Sequence, residues 1–252
     1  MGLMRCVIAF LAFLPFVIYF AKRIDWKRWK DYMFISLTGS AIPAFLYAIA
    51  QTEITSIASG ILNSLTPSFT LIFGILFFKT KSSLLQVAGV CMGLIGAVFI
   101  IMYGSELYIG AKPAYGLFVV LATMCYALNV NFVKRKFQDH DPLVLGAVSF
   151  LFVGLPFLVI AIVIGIPQKV MAEPPAQLSL MYLTILSIMS TVVSLIIYYK
   201  LVQRTTPLFA SSVTYIMPVI VLFWGVIDGE SLVLFHIVGL ILIVMGIYLI
   251  RK

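Results

Sequence analysis

Charged residues are scarce in this sequence: only 10% of its 252 residues are Asp, Glu, Lys or Arg. Soluble domains carry about 25% charged residues. Because 63% of the residues are hydrophobic, the chain cannot cover itself with a soluble surface, and lipid must face most of its exterior. The composition therefore excludes a soluble protein and predicts an all-α polytopic membrane protein.

The chain also lacks the residues from which common catalytic and metal sites are built. It has two histidines, His140 and His236, and no Ser/His/Asp set, metal-ligand spacing or phosphate-binding glycine loop can be assembled around them. Its three cysteines, Cys6, Cys91 and Cys125, lie inside apolar runs, which indicates small buried side chains rather than a disulfide framework. We therefore expect a protein that is not an enzyme and that uses no cofactor or metal.

Apolar runs of about the length that a bilayer requires recur along the whole chain. The connections between them are too short to hold a soluble domain. The first run is predicted to be a retained helix rather than a signal peptide, because only Arg5 precedes it and Lys22 and Arg23 follow it. The nine predicted spans are residues 5–21, 32–51, 55–78, 83–104, 114–134, 142–165, 178–200, 207–227 and 231–250.

Basic residues are distributed unevenly between the two sides of the predicted bundle. Only Arg5, Lys112 and Lys169 fall on one side. Because basic loops stay cytoplasmic, the richer side is predicted to be the cytoplasmic side of the cell membrane, which places the C-terminus inside and the N-terminus outside. This distribution also attributes the net charge of +8 to membrane orientation and not to nucleic acid. The richer side carries Lys22, Arg23, Lys27, Arg28, Lys30, Lys79, Lys81, Lys134, Arg135, Lys136, Lys200, Arg204, Arg251 and Lys252.

One stretch of the sequence occurs twice. Residues 63–74 align with residues 214–225, so that Pro67 matches Pro218 and Gly74 matches Gly225 at one common offset. Each proline lies near the middle of a long apolar run, where it removes a backbone hydrogen bond of the helix. Interrupted helices at matching places in two halves of a membrane protein indicate a transport site. The alternative is that each proline only kinks a packed helix, since membrane helices are rich in proline.

The repeat extends further, because residues 10–16 resemble residues 151–157. Spans one to four thus match spans six to nine, and the odd number of helices between partners inverts one half relative to the other. We expect two inverted repeats, residues 1–104 with four helices and residues 114–252 with five, and a ligand site between them at the membrane midplane. Span five has no counterpart, as if the first helix of a five-plus-five protein were missing. A natural nine-span form, a late start codon and a truncated chain all remain open.

The residues that carry this pattern resemble those of the drug/metabolite transporter superfamily, in particular its EamA-type ten-helix permeases. The likeness covers the whole chain except the missing first span; one departure is Lys79, which stands where the second half has Glu230. It implies two inverted five-helix halves, usually exporting small metabolites or toxic compounds, with a cavity lined by spans two, three, seven and eight. The matching segments are the Arg5-led first span, residues 50–67 running to Gly74, residues 85–96, residues 210–218, Gly229-Glu230 and residues 239–246.

Hydrophilic residues inside the spans are few, and they form stripes at helical spacing. We predict that these stripes line a polar cavity between the two halves. The alternative is that they make hydrogen bonds between helices, each worth about 1 kcal/mol. The predicted cavity residues are Ser59, Asn63 and Pro67 in span three, Ser194 and Tyr198 in span seven, and Ser211, Thr214, Tyr215 and Pro218 in span eight; Ser190 belongs to the span-seven series.

No acidic or basic residue lies at the middle of any predicted span. Proton-coupled carriers usually need an ionisable group there, and Glu53, at a helix end, is the best candidate; its alternative is a solvated loop charge. The lack of a deep fixed charge favours neutral, zwitterionic or amphipathic substrates. The predicted function is a secondary transporter that exports amino-acid-like or drug-like metabolites by alternating access. The alternative is a lipid-linked or structural membrane protein without solute turnover.

Two further groups have structural interpretations. Gly89, Gly93 and Gly96 in span four, with Gly239 and Gly246 in span nine, are expected to permit close helix packing within each half; a homodimer interface is the alternative. Asn129 and Asn131, near the end of span five, are expected to cap or hydrate that helix end. Beyond a second copy, the expected partners are a small-molecule substrate and the lipid bilayer.

Overall fold

The computed structural model describes residues 2–54, 56–103, 112–166, 174–227 and 234–251. Within these ranges the chain forms nine helical rods, so the all-α, nine-span prediction is confirmed. Five of the rods contain an apolar stretch long enough to cross a bilayer. The helices are α1 Gly2–Phe20, α2 Trp29–Ser36, α3 Ile42–Ala50, α4 Ser56–Asn63, α5 Thr66–Phe78, α6 Leu84–Tyr103, α7 Gly116–Lys136, α8 Pro142–Val163, α9 Pro174–Ser187, α10 Ser194–Arg204, α11 Pro207–Ser211, α12 Ile216–Ile227 and α13 Leu234–Arg251.

Four of the nine rods consist of two helices each: α2–α3, α4–α5, α9–α10 and α11–α12. Two of these, α4–α5 and α11–α12, are interrupted beside the repeated prolines. A turn at residues 64–65 separates α4 from α5, and a 3₁₀ turn, Ser212–Tyr215, joins α11 to α12. Each proline then falls in the first turn of the following helix, where its missing N–H costs no intrahelical hydrogen bond. Pro67 and Pro218 are both buried, so at each break the proline side faces protein, as a bilayer favours for irregular backbone.

Two other rods are loosened at a second matched pair of positions. A π-helical turn, Leu37–Ala41, connects α2 to α3, and another, Ile188–Val193, connects α9 to α10. The residues before these turns, Ser36 and Ser187, are fully buried, and each hydroxyl donates to the carbonyl four residues earlier, at 2.7 and 2.6 Å. Such back-bonding competes with the helical ladder and bends helices. The two serines are separated by the same offset as the two prolines, although the sequence analysis did not identify them.

The main hydrophobic core lies where α1 packs along α8. The rings of Phe13 and Phe150 stack with centroids 5.7 Å apart, and Phe10 fills the space above Gly154. This core joins a helix of the N-terminal half of the chain to one of the C-terminal half.

The glycines of α6 and α13 make the second seam between the halves. A Cβ atom on Gly96 would lie 2.6 Å from the Gly239 carbonyl oxygen, and one on Gly89 would lie 2.7 Å from the Gly246 carbonyl oxygen. The backbones therefore touch directly, as small residues permit in membranes. The expectation that these glycines pack within each half was wrong, because helical spacing reveals a small-residue face but not the partner it meets. The same contact occupies this face inside one chain and leaves it unavailable for a homodimer.

The loops that carry basic residues meet at one end of the bundle, here called the basic end. Arg28 donates to the Lys136 carbonyl at 2.9 Å, and the Gln203 amide donates to the carbonyls of Phe137 and His140 at 2.8 and 2.7 Å. These contacts connect the start of α2 to the α7–α8 loop and the end of α10. At the basic end, the Arg28 hydrogen bond therefore joins the two halves, while the Gln203 hydrogen bonds hold the α7–α8 loop to α10 within the second half.

We expect Gly96→Ala to destabilise the protein by about 1–3 kcal/mol, because the added methyl group meets backbone that cannot turn away. Gly60→Ala is the matched control, since a Cβ on Gly60 has no neighbour within 4 Å among the described residues. Thermal unfolding of both variants in detergent compares them directly. Equal melting temperatures for the two variants would contradict the direct backbone contact.

His140 provides a pH prediction at the basic end. Burial, and then the Arg28 guanidinium, lower the pKa of His140 below its usual value. The unfolded chain therefore takes up a proton before the folded chain does, and stability falls as the pH drops below the unfolded pKa of about 6.5. We expect the melting temperature of the wild type to fall more steeply than that of His140→Gln between about pH 7.5 and pH 5.5. Parallel curves for the two proteins would refute this assignment.

Candidate functional site

Asn63 joins the two interrupted rods. It is the last residue of α4, directly before the first break, and its Oδ1 accepts a hydrogen bond of 2.7 Å from the Tyr47 hydroxyl of α3. Its Nδ2 lies 3.1 Å from the sulfur of Met217, which precedes Pro218 in α12. The Asn63 amide thus lies next to the interruption of its own rod and contacts a residue next to the second interruption. The two interruptions belong to different halves of the sequence.

Three tyrosines belong to α7 and to two helices that pack against it. Tyr47 of α3, which bonds to Asn63, lies 6.3 Å, ring to ring, from Tyr126 of α7, and Tyr198 lies in α10. All three side chains are half-buried, and each hydroxyl can both donate and accept a hydrogen bond. Three helices therefore direct amphipathic rings toward one region, which we call the tyrosine cluster (Tyr47, Tyr126 and Tyr198).

The sequence analysis named Tyr198 but missed the other two members of the cluster. Tyr47 and Tyr198 are separated by the offset that matched the prolines, so this offset was a signal that could have found Tyr47. Tyr126 had no such signal, because span five has no repeat partner and a single aromatic residue in an apolar run does not stand out.

Arg5 is a further residue of this region, and its placement corrects the sequence analysis. It was counted as a charge of one membrane side, but its Nη2 donates to the hydroxyls of Ser190 and Thr191 at 3.0 and 3.2 Å. Ser190 lies near the centre of its span, which runs from Gln177 to Arg204. Arg5 lies in the first turn of its own helix, but its side chain contacts the middle of a neighbouring span. In the sequence, a basic residue near the start of α1 looks like a residue that flanks the span. In the fold, its side chain contacts the middle of a neighbouring rod.

The remaining predicted residues of span eight lie elsewhere. Tyr215 is fully buried, its ring lies against Gly93 and its hydroxyl donates to the Val90 carbonyl of α6 at 3.0 Å. The hydroxyls of Ser211 and Thr214 donate to carbonyls three residues earlier in their own rod. None of these three side chains makes a hydrogen bond to Asn63 in the described part of the chain.

Spans three and seven contribute two serines with different surroundings. The Ser59 hydroxyl, one turn before Asn63, is buried and has no hydrogen-bond partner among the described residues. The Ser194 hydroxyl is exposed and donates to the Met189 carbonyl across the π turn, at 3.1 Å. Both therefore lie beside an interruption of a rod.

Comparison with known proteins decides the family. The model of the EamA-like transporter family matches residues 1–102 and 114–252. The chain belongs to the EamA-like transporter family. It is thus an integral, multi-pass membrane protein and a transporter rather than an enzyme.

The relatives of this EamA-like protein are distant and widespread. An uncharacterised transporter of Archaeoglobus fulgidus is 22% identical over 94% of this chain and 82% of its own length. The uncharacterised inner membrane transporter YedA of Escherichia coli is 24% identical over 85% and 70%. A WAT1-related protein of Arabidopsis thaliana is 27% identical over 65% and 44%. A protein crystal structure with 17% sequence identity superposes with a TM-score of 0.71 over 98% of this chain and 85% of that one, so the two share a fold.

Glu53 of this EamA-like chain is held by an ion pair. Its Oε1 lies 3.0 Å from the Lys112 ammonium group, at the end of the bundle opposite the basic end. The hydrogen bond that Lys112 donates to Glu53 raises the pKa of Lys112 above its usual value. Glu230, the other acidic residue singled out in the sequence, lies outside the described residues.

The two asparagines of α7 brace the first half of the EamA-like fold. Asn129 donates to the Ile35 carbonyl beside the first π turn at 2.8 Å, and Asn131 donates to the Thr70 carbonyl of α5 at 3.0 Å. Both are buried, so the expectation that they cap or hydrate the end of α7 was wrong. Each donates a hydrogen bond to a carbonyl of a neighbouring rod. In a bilayer no water is present to donate to such a carbonyl instead.

We expect Asn129→Leu to lower the stability by about 1–3 kcal/mol, because it leaves buried backbone beside the π turn without a donor. The same amide-to-leucine change at Gln138, which is exposed, is the control. Melting temperatures in detergent make the comparison. A variant Asn129→Leu as stable as Gln138→Leu would show that the π turn does not depend on this amide.

Proposed function

We propose that this EamA-like protein is a secondary transporter that exports small amphipathic metabolites, amino-acid-like or drug-like, by alternating access. The observation that supports this most strongly is the contact of Asn63 with Met217. It sets a polar side chain of the first interrupted rod against the second interrupted rod. In transporters built from repeats, substrate binds where such broken helices of the two halves meet.

The chemistry of this region fits reversible binding. Asn63 offers an amide, and the tyrosine cluster offers hydroxyl groups on apolar rings, so a solute with polar and apolar parts finds a partner for each. The Ser59 hydroxyl, which has no partner among the described residues, supplies another polar group one helical turn away. No metal-binding cluster of His, Cys, Asp and Glu occurs in the part of the chain that the structure describes, and no step here needs one.

Alternating access follows from two halves that move against each other. We propose residues 1–104 and 114–252 as these inverted halves, which the matched interruptions at one common offset support. The seams of α1 with α8 and of α6 with α13 join them. In this proposal the basic end is cytoplasmic, with the C-terminus inside and the N-terminus outside the cell membrane. Opening the site to the cytoplasm then requires the hydrogen bond from Arg28 to the Lys136 carbonyl to break.

A transport role for Glu53 remains a prediction from sequence. Its carboxylate is held in an ion pair with Lys112. A homodimer is not part of the proposal, since the glycine face that suggested one is occupied within the chain.

Transport in proteoliposomes tests the proposed site. We expect Tyr47→Phe to lower the export rate of its substrates by about tenfold, because it removes the 2.7 Å hydrogen bond to Asn63 and frees the amide. Asn63→Leu should abolish transport while the protein still elutes as a folded species. Tyr19→Phe is the matched control, since Tyr19 is 77% exposed.

A panel of labelled amino acids and drugs gives the readout. Loss of transport in Tyr47→Phe and Asn63→Leu, with Tyr19→Phe unchanged, supports the proposal. If the wild type moves no solute of the panel under any ion gradient, the alternative of a lipid-linked or structural membrane protein replaces it. Unchanged rates in both site variants would place the binding site elsewhere.

A further inference from the structure

Arg5 is a cation whose contacts are neutral. Only its Nη2 has hydrogen-bond acceptors among the described residues, and these are the hydroxyls of Ser190 and Thr191. The Ser190 hydroxyl already donates its own proton to the Leu186 carbonyl at 2.7 Å, so it meets Arg5 purely as an acceptor. The Nε and Nη1 donors of Arg5 have no protein acceptor in the described part of the chain.

The acidic residues that the structure describes do not form an ion pair with Arg5. The ion pairs found among those residues are Arg28 with Asp31 and Lys112 with Glu53. A cation within a membrane span is costly unless an anion or a water-filled cavity compensates it. Two hydroxyl groups orient the guanidinium but cannot neutralise its charge.

The guanidinium lies next to the proposed binding region. The π turn that holds its two hydroxyl acceptors leads directly into α10, which carries Tyr198 of the tyrosine cluster. Ser190 and Thr191 belong to the π turn of the seventh rod, and π turns often occur at functional sites. The charge of Arg5 therefore borders the region where Asn63 and the tyrosines converge.

We propose that Arg5 is the anion-binding group of the site and that the transported solute carries a carboxylate which pairs with it. The planar, permanently charged guanidinium keeps its Nε and Nη1 donors available for charge-assisted hydrogen bonds to a carboxylate. The aromatic rings and Met217 then receive the apolar remainder, so the solute class is the amphipathic monocarboxylates. This inference rests on the proposed function and narrows its substrates.

Matched acid and amide probes test this inference on the full chain in nanodiscs. The probes are N-acetylphenylalanine and N-acetylphenylalaninamide, with aliphatic and hydroxy acid/amide pairs added as a panel. We expect the wild type to bind at least one acid about 10- to 100-fold more tightly than its amide, and Arg5→Gln to lose that difference. Arg5→Lys should keep part of it, because it retains the charge but not the planar set of guanidinium donors. Arg23→Gln, an exposed arginine at the basic end, is the matched control.

Other variants and lipids separate the competing explanations. Thr191→Val, which removes one hydroxyl anchor, should weaken acid binding by a smaller factor and keeps the test valid if Arg5→Gln fails to fold. If anionic phosphatidylglycerol stabilises the wild type but not Arg5→Gln, and no acid is preferred over its amide, the anion is a lipid phosphate and the inference is overturned. Equal binding of acids and amides also overturns it, while solute transport that depends on Asn63 leaves the proposed function intact.

Discussion

A bilayer offers no water to a broken helix, and this constraint shapes the interruptions that the structure describes. Where the helical ladder opens, the chain itself provides the surroundings: Asn129 reaches the carbonyl beside the first π turn, and the breaks before Pro67 and Pro218 are buried. Because backbone at membrane depth must be satisfied locally, irregular structure can persist only where helices converge. The interruptions therefore lie where helices pack against one another, and the proposed site is built from polar side chains beside them.

The sequence predicted correctly those features that recur in both halves and those that depend on the length of an apolar run. The nine rods follow from apolar length, and the prolines follow from the constant offset between two copies of one pattern. The same offset connects Ser36 with Ser187 and Tyr47 with Tyr198, so two matched pairs were present in the sequence and were not used. Features that recur can be found from one chain because each copy supports the other.

What sequence could not supply was the identity of contacting partners. The glycines of α6 were visible as a small-residue face, but only the fold shows that they meet α13 and not a helix of their own half. Tyr215 shared a helical stripe with Ser211, yet it turns to α6 and donates to Val90. Helical periodicity defines the angle at which a side chain leaves its own rod. Periodicity does not show which rod lies in that direction, or how deep in the membrane the contact is. Arg5 is another example, because its contact with Ser190 and Thr191 could not be read from the sequence.

The fold is close to symmetric, but the site it encloses is not. Tyr47 and Tyr198 are repeat partners, whereas Asn63 corresponds to a threonine in the repeat, Tyr126 has no counterpart, and Arg5 matches Gly146 when residues 10–16 are aligned with residues 151–157. Matched residues can support two interchangeable conformations of the halves, since each half then plays the same mechanical part. A solute with a distinct charged end needs unmatched residues, because a symmetric pair of sites would bind it equally well in two opposite orientations. In the proposed mechanism the repeated residues would therefore serve movement, and the unrepeated ones, Arg5 above all, would select the solute.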